Sequence, residues 1–194
     1  MIRTLLLTLV VVVIAVGGGG ASVWYALQAQ EGIGAVTIGG WTAFPSIGTP
    51  DADPYSKGRV AREGLLALGH AEGLVFIAHA DSRGDAIERR CSYKVEGATP
   101  PARFWTIYAA DLGYTVLRLE GRAAPAIQSQ DVLRAADNSF SIGFGPQPVP
   151  GNWIRVDGAG AYTLVLTLYD TPLASNPGFA DIALPQVLRT GCDD

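Results

Sequence analysis

Alternating side chains in residues 151–170 constrain the fold of this chain more than any other feature. Apolar side chains recur at every second position, at Tyr162, Leu164, Leu166 and Leu168. A period of two indicates a β-strand with one face in a core. The segment DGAG at residues 157–160 precedes this strand and contains residues that tolerate positive φ. We therefore predict a hairpin of two strands over residues 151–170.

Short strands of the same kind are predicted along much of the chain. The pattern indicates strands at residues 74–80, 90–96, 103–110, 114–119 and 139–144, separated by Gly, Pro and Asp turns. Two further segments are also predicted to be ordered, a helical turn at 128–137 and a last strand or helix at 182–189. The 24 glycines and 12 prolines favour many short strands over long helices. We therefore predict a mostly β protein, an antiparallel β-sandwich of the jelly-roll type.

One amphipathic helix is predicted ahead of these strands. Asp53 is suited to cap it, Pro54 to its first position and Gly69 to end it. The apolar residues between them fall on one stripe, so the helix should pack on the sheet. It also has a basic face, formed by Lys57, Arg59 and Arg62. That face is either solvated or directed at a membrane surface, and the first interpretation is favoured.

The N-terminal segment is long and apolar enough to cross a bilayer. After Arg3 the sequence has no charged residue or histidine until Glu31, and Trp24-Tyr25 lies near the end of this stretch. A membrane anchor needs about 20 predominantly apolar residues and often carries Trp or Tyr at the interface. We therefore expect residues 1–27 to be an anchor that contacts the lipid bilayer through residues 4–27.

A cleaved signal peptide is the alternative interpretation of the same segment. The only candidate cleavage site ends at Ala29, and it has the bulky Leu27 where a small residue is expected. The positive charge of Arg3 precedes the segment and predicts that the N-terminus faces the cytoplasm. We therefore expect a single-pass protein of the bacterial inner membrane, with a Gly/Pro-rich linker at 28–52 and a β-sandwich domain at 53–194 on the periplasmic side.

Composition and cysteine content narrow the possible partners. The formal net charge is -4 and no basic tract occurs, which argues against a nucleic-acid partner. The two cysteines, Cys91 and Cys192, form an even pair that becomes a disulfide in most proteins outside the cytoplasm. The alternative is two separate thiols. Neither cysteine has a second Cys or a His at metal-ligand spacing, so we expect no metal and no cofactor.

Catalytic motifs are scarce in the sequence. The nucleophile elbow Gly-x-Ser-x-Gly does not occur, and the two histidines are His70 and His79. His79 and Asp81 lie at the end of a predicted strand, and with Asp111 they could serve a hydrolase or a metal-dependent enzyme. A strand-end histidine that contacts a turn aspartate is the favoured interpretation, so no catalytic residue is assigned.

Three short runs resemble a known family. They are ATPPARFWT at 98–106, PGNWI at 150–154 and LTLYD at 166–170, which are similar to the bacterial domain of unknown function 1214. The similarity extends over about residues 51–192 and, at DPY in 53–55, includes features of its short, membrane-anchored members. Longer relatives carry a domain of unknown function 1254 ahead of this one, and we expect it to be absent here. The resemblance implies a β-sandwich and no established activity, so it supplies no catalytic residue.

The leading hypothesis is a non-catalytic accessory or ligand-binding module of the cell envelope. Aromatic side chains near loops are the candidate ligand-binding residues, namely Trp41, Trp105, Trp153 and Tyr169. Their alternative role is ordinary core packing, which is favoured for Trp105 and Trp153. A small-molecule ligand or another envelope protein are the partners considered, and the enzyme that uses His79 and Asp81 is the alternative function.

Overall fold

The computed structural model describes the chain in several segments, at residues 1–28, 34–63, 68–69, 71–118, 124–175 and 182–192. Within these residues the protein forms a long N-terminal helix, a short helix and two β-sheets. The strands in chain order are β1 (Val36–Ile38), β2 (Trp41–Ala43), β3 (Gly73–Ala78), β4 (Cys91–Gly97), β5 (Phe104–Ala110), β6 (Ala126–Gln128), β7 (Phe140–Gly145), β8 (Asn152–Arg155), β9 (Thr163–Tyr169) and β10 (Gln186–Cys192). A 3-10 turn at Pro172–Ser175 follows β9.

The N-terminal helix, α1, extends over Ile2–Gln28. Its segment Ile2–Tyr25 has a mean hydropathy of 2.3, and none of it is buried against the rest of the protein. At 1.5 Å per residue, the 27 residues of α1 reach about 40 Å, which exceeds the roughly 30 Å of a hydrocarbon core. By length and composition, α1 is therefore able to span a membrane.

The strands form a sandwich of a six-stranded and a four-stranded sheet. The first has the order β1-β2-β3-β9-β5-β6, and the second has the order β10-β4-β7-β8. The mostly β sandwich predicted from the sequence is confirmed. One pair departs from the antiparallel prediction, because β8 runs parallel to β7, with Gly143 opposite Trp153.

The predicted hairpin over residues 151–170 is wrong. β8 belongs to the four-stranded sheet, whereas β9 lies in the other sheet between β3 and β5. The turn itself has the expected conformation, since Gly158 and Gly160 have φ values of 103° and 92°. The side chains of Val156 and Tyr162 on either side of it are buried, whereas residues 158–161 are exposed, so the segment crosses from one sheet to the other at the surface of the sandwich. Local periodicity is the same for a hairpin and for such a crossing, which is why the sequence did not separate them.

The short helix, α2, extends over Pro54–Glu63 and is capped as predicted. The Oδ1 atom of Asp53 accepts hydrogen bonds from the backbone N–H groups of Tyr55 at 2.9 Å and Ser56 at 3.0 Å. The Ser56 hydroxyl donates to the same carboxylate, and this bond lowers the pKa of Asp53 below its ordinary value. The structure describes this helix as far as Glu63; the next residues, 64–67, lie outside the described part of the chain, and residues 68–69 are not helical.

Other segments differ from the prediction in smaller ways. Residues 36–43, which the sequence analysis assigns to the linker, form β1 and β2, and β2 pairs with β3. Residues 114–118 form a single bridge from Val116 to Ala110 instead of a strand. Residues 128–137 hold the end of β6 and turns instead of a helical turn. His70, residues 64–67 and Leu119 lie outside the described residues.

The core lies between the two sheets. β9 contributes the apolar row predicted from its sequence, and Leu164, Leu166 and Leu168 are fully buried there. The opposite side of β9 is also buried, since Thr163, Val165 and Thr167 are at most 5% exposed. β9 is also an interior strand of its sheet, paired with β3 along one edge and with β5 along the other.

The predicted disulfide between Cys91 and Cys192 is confirmed. The two residues lie opposite each other in the antiparallel pair of β4 and β10, and they are 101 positions apart in the sequence. The bond therefore holds the edge strand β10 on the four-stranded sheet.

Candidate functional site

The outward face of β7 carries almost no side-chain volume. Phe140, Ile142 and Phe144 point into the core, while Gly143 and Gly145 face outward and alternate with them. In the neighbouring strands, Gly143 lies opposite Lys94 of β4 and opposite Trp153 of β8. Two glycines at alternate positions leave a slot on the surface of the sheet, because neither has a Cβ to fill it.

This slot is the floor of a groove with a volume of about 200 Å³. Its sides come from β4, β8 and the loop that follows β7. The side chains that matter for its chemistry are Ser92, Lys94, Ser141, Gln147, Val149 and Trp153. The groove therefore combines one indole ring and one branched apolar side chain with hydroxyl, amide and amino groups. We refer to it below as the β7 groove.

Val149 reaches back over the glycine floor of the β7 groove. A Cβ atom on Gly143 would overlap Val149 Cγ2, and it would lie 3.5 Å from Trp153 Cδ1. Val149 thus occupies the space that a side chain at position 143 would fill, although 44% of the residue stays exposed. Val149 is a loop residue and not a member of the hydrophobic core between the sheets.

The indole N–H of Trp153 is buried beside this plug. Its Nε1 atom is inaccessible to solvent and has no hydrogen-bond partner among the residues that the structure describes. Cδ1, the atom bonded to Nε1, is the indole atom nearest to the Cβ position of Gly143. A buried donor without an acceptor is unfavourable, by about 1–3 kcal/mol. This edge of the ring therefore has an unmet capacity to donate a hydrogen bond.

The rim of the β7 groove is electrically neutral. Lys94 Nζ lies 2.6 Å from Glu96 Oε2, and both side chains are about 40% exposed (42% and 38%). Lys94 is the one charged residue among those that line the groove. Since an exposed ion pair is weak but still compensates charge, the groove presents neutral hydrogen-bonding groups to a ligand.

Asn152 fixes the turn that enters β8. Its Oδ1 atom accepts the backbone N–H of Leu133 at 2.8 Å, and its Nδ2 atom donates to the carbonyl groups of Leu133 at 2.9 Å and Ser141 at 3.0 Å. The amide side chain thus pairs with the backbone of Leu133 in the way a strand residue would. This contact explains why an Asn precedes Trp153 and sets the position of the indole ring.

A wider cavity of about 730 Å³ adjoins the β7 groove on the other side of this turn. Both cavities are lined by Ser141, Pro150 and Asn152. Arg134 lines the wider cavity. Its guanidinium carbon lies over the ring of Trp105, 5.5 Å from the ring centroid. The two cavities therefore lie on either side of shared residues at the start of β8.

The four aromatic residues proposed from the sequence do not converge. Trp41 is 1% exposed and donates from Nε1 to the carbonyl oxygen of Pro185 at 2.7 Å. Trp105 is 3% exposed and lies in the core beside Phe140. Tyr169 is half-buried on the outer face of the six-stranded sheet. Trp153 alone of the four lines a groove described above, on the outer face of the other sheet.

His79 and Asp81 lie at the end of β3 but serve different contacts. His79 Nε2 is 3.5 Å from the hydroxyl of Tyr114. Asp81 is buried and accepts the backbone N–H groups of Arg83 and Asp85, and its second carboxylate oxygen lies 3.3 Å from Arg189 Nε. This carboxylate therefore orders a turn and pairs with a guanidinium. Within the part of the chain that is described, no three His, Cys, Asp or Glu residues come together.

Two tyrosines have perturbed hydroxyl groups. Burial raises the pKa of Tyr162, whose hydroxyl lies in the core next to Tyr93. Burial also raises the pKa of Tyr108 on the outer face of the six-stranded sheet, with a smaller contribution from Tyr169. In both cases the cause is that a buried phenolate is poorly solvated.

Sequence reasoning missed Gly143 and Val149. A signal for Gly143 was present, because two glycines at alternate positions inside a predicted strand mark a close approach to its outward face. No local signal indicated Val149, which lies in a proline-rich loop and reaches the floor only through the course of the chain.

Comparisons with other proteins give a family and a fold. The family model described as "Protein of unknown function (DUF1214)" matches residues 72–173, which is more than half of the chain. These residues include β3 to β9 and the whole floor of the β7 groove. No curated protein matches the chain.

Two solved structures are similar to the chain. The crystal structure of the VPA0106 protein from Vibrio parahaemolyticus aligns with a TM-score of 0.57 and 13% identity over 72% of this chain and 36% of that protein. An uncharacterized protein from Burkholderia cenocepacia aligns with a TM-score of 0.39 and 19% identity over 75% of this chain and 44% of that protein. The chain spans less than half the length of either protein, and the first alignment supports the fold alone.

Proposed function

The chain belongs to the DUF1214 family of proteins of unknown function, and from that premise we propose that it is a membrane-tethered ligand-binding module of the cell envelope. In this proposal α1 is the tether, the sandwich faces the periplasm, and the β7 groove is the binding site. The module is non-catalytic and delivers or senses its ligand at the membrane.

The tether and its orientation are supported by the two ends of the described chain. α1 is apolar over Ile2–Tyr25, and Arg3 near its start favours a cytoplasmic N-terminus. The Cys91–Cys192 disulfide is typical of proteins in an oxidising compartment, such as the periplasm. A sandwich on the far side of the inner membrane is consistent with both observations.

The β7 groove carries the proposal of ligand binding. Ligand sites in proteins are concave, partly aromatic and supplied with a few polar groups, and the groove at Trp153 has each of these properties. The buried N–H of Trp153 adds a donor that the described residues leave without an acceptor. The turn at Asp81, by contrast, has its carboxylate engaged by backbone N–H groups and Arg189, so it supports a structural role.

Tethering and orientation are tested in cells. We expect the full-length mass in the membrane fraction, and we expect an alkaline phosphatase fused after Cys192 to be active, since that enzyme folds only where disulfides form. A shortened protein free in the periplasm would contradict the tether. An inactive phosphatase fusion, with an active cytoplasmic reporter at the same position, would contradict the orientation.

Ligand binding is tested by thermal unfolding of the full chain in detergent with a panel of amino acids, sugars, nucleosides and organic acids. We expect at least one compound to raise the Tm of the wild type, as binding to the folded state requires, and to leave Trp153→Ala unchanged. Tyr169→Leu is the matched control, because Tyr169 is a half-buried aromatic residue on the opposite outer face. A shift that persists in Trp153→Ala, or no shift in the wild type, would remove the groove as the site.

A further inference from the structure

We propose that the β7 groove binds a neutral sugar ring and that Val149 occupies the place of that ring when no ligand is bound. The proposal rests on the function proposed above, in which the groove is the binding site. Its basis is the juxtaposition of a glycine floor, the side chain of Val149 and the buried N–H of Trp153.

The two strands under the β7 groove, β4 and β7, are each paired with another strand along both edges. β4 is paired with β10 on one side and β7 on the other, and β7 is paired with β4 and β8. A peptide that binds a sheet does so mainly by adding a strand to an open edge. Since both floor strands are interior, a ligand in the groove is recognised by side chains, which favours a sugar over an extended peptide.

The side chains around the floor match the chemistry of a sugar. Ser92 and Ser141 provide hydroxyl groups, Gln147 provides an amide, and Trp153 provides both an apolar ring and an N–H donor. Sugar rings present hydroxyl groups around an apolar C–H surface, so they use all of these partners at once. The groove volume of about 200 Å³ restricts the ligand at this position to one ring.

The neutral rim selects against charged ligands. The amino group of Lys94 lies 2.6 Å from the carboxylate of Glu96, so its charge is already compensated. An anionic sugar would have to compete with Glu96 for that amino group, and the Glu96 carboxylate would repel it. A neutral sugar accepts and donates hydrogen bonds without disturbing the ion pair.

Val149 prevents the Trp153 donor from being used in the unliganded groove. Its Cγ2 methyl and Cδ1 of the Trp153 indole both lie near the Cβ position of Gly143, and a methyl group cannot accept a hydrogen bond. A sugar oxygen in the same place satisfies the donor, so ligand binding exchanges an apolar contact for a hydrogen bond. Truncation of Val149 removes the competitor and leaves the donor, and binding should therefore become tighter.

The test uses ¹⁹F NMR of the full chain labelled with 5-fluorotryptophan, in dodecylphosphocholine micelles that contain no sugar. The chain has four tryptophans, and Trp153→Phe identifies the resonance of Trp153. The probes are maltose and diacetylchitobiose as neutral sugars, glucuronate as an acidic one, and the peptide acetyl-Gln-Pro-Val-Pro-amide as a copy of the covering loop. Leu112→Ala is the control for Val149→Ala, because Leu112 is also an exposed apolar loop residue.

We expect a neutral sugar to shift the Trp153 resonance alone and to bind Val149→Ala about three- to tenfold more tightly than the wild type, with Leu112→Ala unchanged. Repeating the measurement in dodecyl maltoside micelles separates two sources of the same chemistry. A shift with free maltose assigns the ligand to soluble sugars, whereas a shift only with the maltoside assigns it to a glycolipid headgroup.

The outcomes separate this inference from the proposed function. If only glucuronate or the peptide shifts Trp153, the sugar inference is overturned and the groove remains a binding site. If neither the four probes nor dodecyl maltoside shifts Trp153 in the wild type or in Val149→Ala, the sugar inference is overturned as well. If a sugar shifts another tryptophan and still binds Trp153→Phe with unchanged affinity, both the inference and the groove as the binding site are overturned.

Discussion

The two faces of β7 differ in the size of the side chains that they carry. Its inner face carries Phe140, Ile142 and Phe144, which are at most 4% exposed and fill the space between the sheets. Its outer face carries Gly143 and Gly145, and the volume above Gly143 is filled by Val149 from a loop. The inner face is therefore filled by side chains of its own strand, and the outer face is filled by a side chain from the following loop.

This difference separates the contributions of the two faces of β7 to the stability of the domain. Removal of a core side chain leaves a cavity that rigid neighbours cannot close, so the inner face determines whether the domain folds. A partly exposed side chain on a glycine slot contributes less to stability, so substitutions on the outer face should cost less than substitutions in the core. Four changes to the protein test this difference between the two faces.

Truncation of a side chain on the inner face of β7 should strongly destabilise the protein. We expect Phe144→Ala to lower the free energy of unfolding by about 3–5 kcal/mol, because Phe144 is 1% exposed and its removal leaves a cavity. Ser141→Ala, on the outer face of the same strand, should change stability by no more than about 0.5 kcal/mol. Denaturant unfolding of the full chain in micelles measures both. Equal losses would show that the two faces do not differ.

Most of the strands were predictable because their side chains follow a short repeat. The apolar row of β9 and the alternation of β4 and β7 are properties of a few adjacent residues, and they locate strands without knowledge of the fold. The Asp53 cap and the Cys91–Cys192 pair were predictable for similar reasons, since one depends on three consecutive residues and the other on the number of cysteines.

The arrangement of strands and the location of the groove could not be predicted in this way. Trp105 and Trp153 both lie in alternating strands, yet one faces the core and the other faces a glycine slot. Which side of a strand meets the other sheet depends on the whole topology, and so does the crossing of residues 156–162 between the layers. The contact of Val149 with Gly143 depends on a loop path that no periodicity encodes.

The edge strands of the four-stranded sheet extend the comparison, because β10 is held by a covalent bond and β8 is not. We expect the double substitution Cys91→Ala with Cys192→Ala to cost about 2–5 kcal/mol, since the bond closes a loop of 101 residues in the unfolded chain. A reducing agent should lower the free energy of unfolding of the wild type by a similar amount, and its unfolding midpoint should fall accordingly. Equal midpoints with and without the reducing agent would contradict this role.

The entry to β8 should be sensitive to loss of one amide. We expect Asn152→Ala to destabilise the protein by about 2–3 kcal/mol, because the N–H and C=O of Leu133 and the C=O of Ser141 lose their part-buried hydrogen bonds to its side chain. Gln147→Ala, which truncates an exposed amide in the loop between β7 and β8, is the control and should have little effect. The Trp153 resonance should also shift in Asn152→Ala, since Asn152 sets the start of β8, and an unchanged resonance would contradict that role.

The outer face itself is tested by filling the slot. We expect Gly143→Ala to cost about 1–2 kcal/mol, because the new Cβ overlaps Val149 Cγ2 and approaches Trp153 Cδ1. In a Val149→Ala background the same substitution should cost nothing, so the double-mutant cycle should give a coupling energy of about 1–2 kcal/mol. Gly191→Ala is the control, because Gly191 lies in the same sheet with open space around its Cβ position. A cost at Gly143 that is unchanged by Val149→Ala would mean that the floor is sealed by the sheet and not by the loop, and the outer face of β7 would then be as fixed as the inner one.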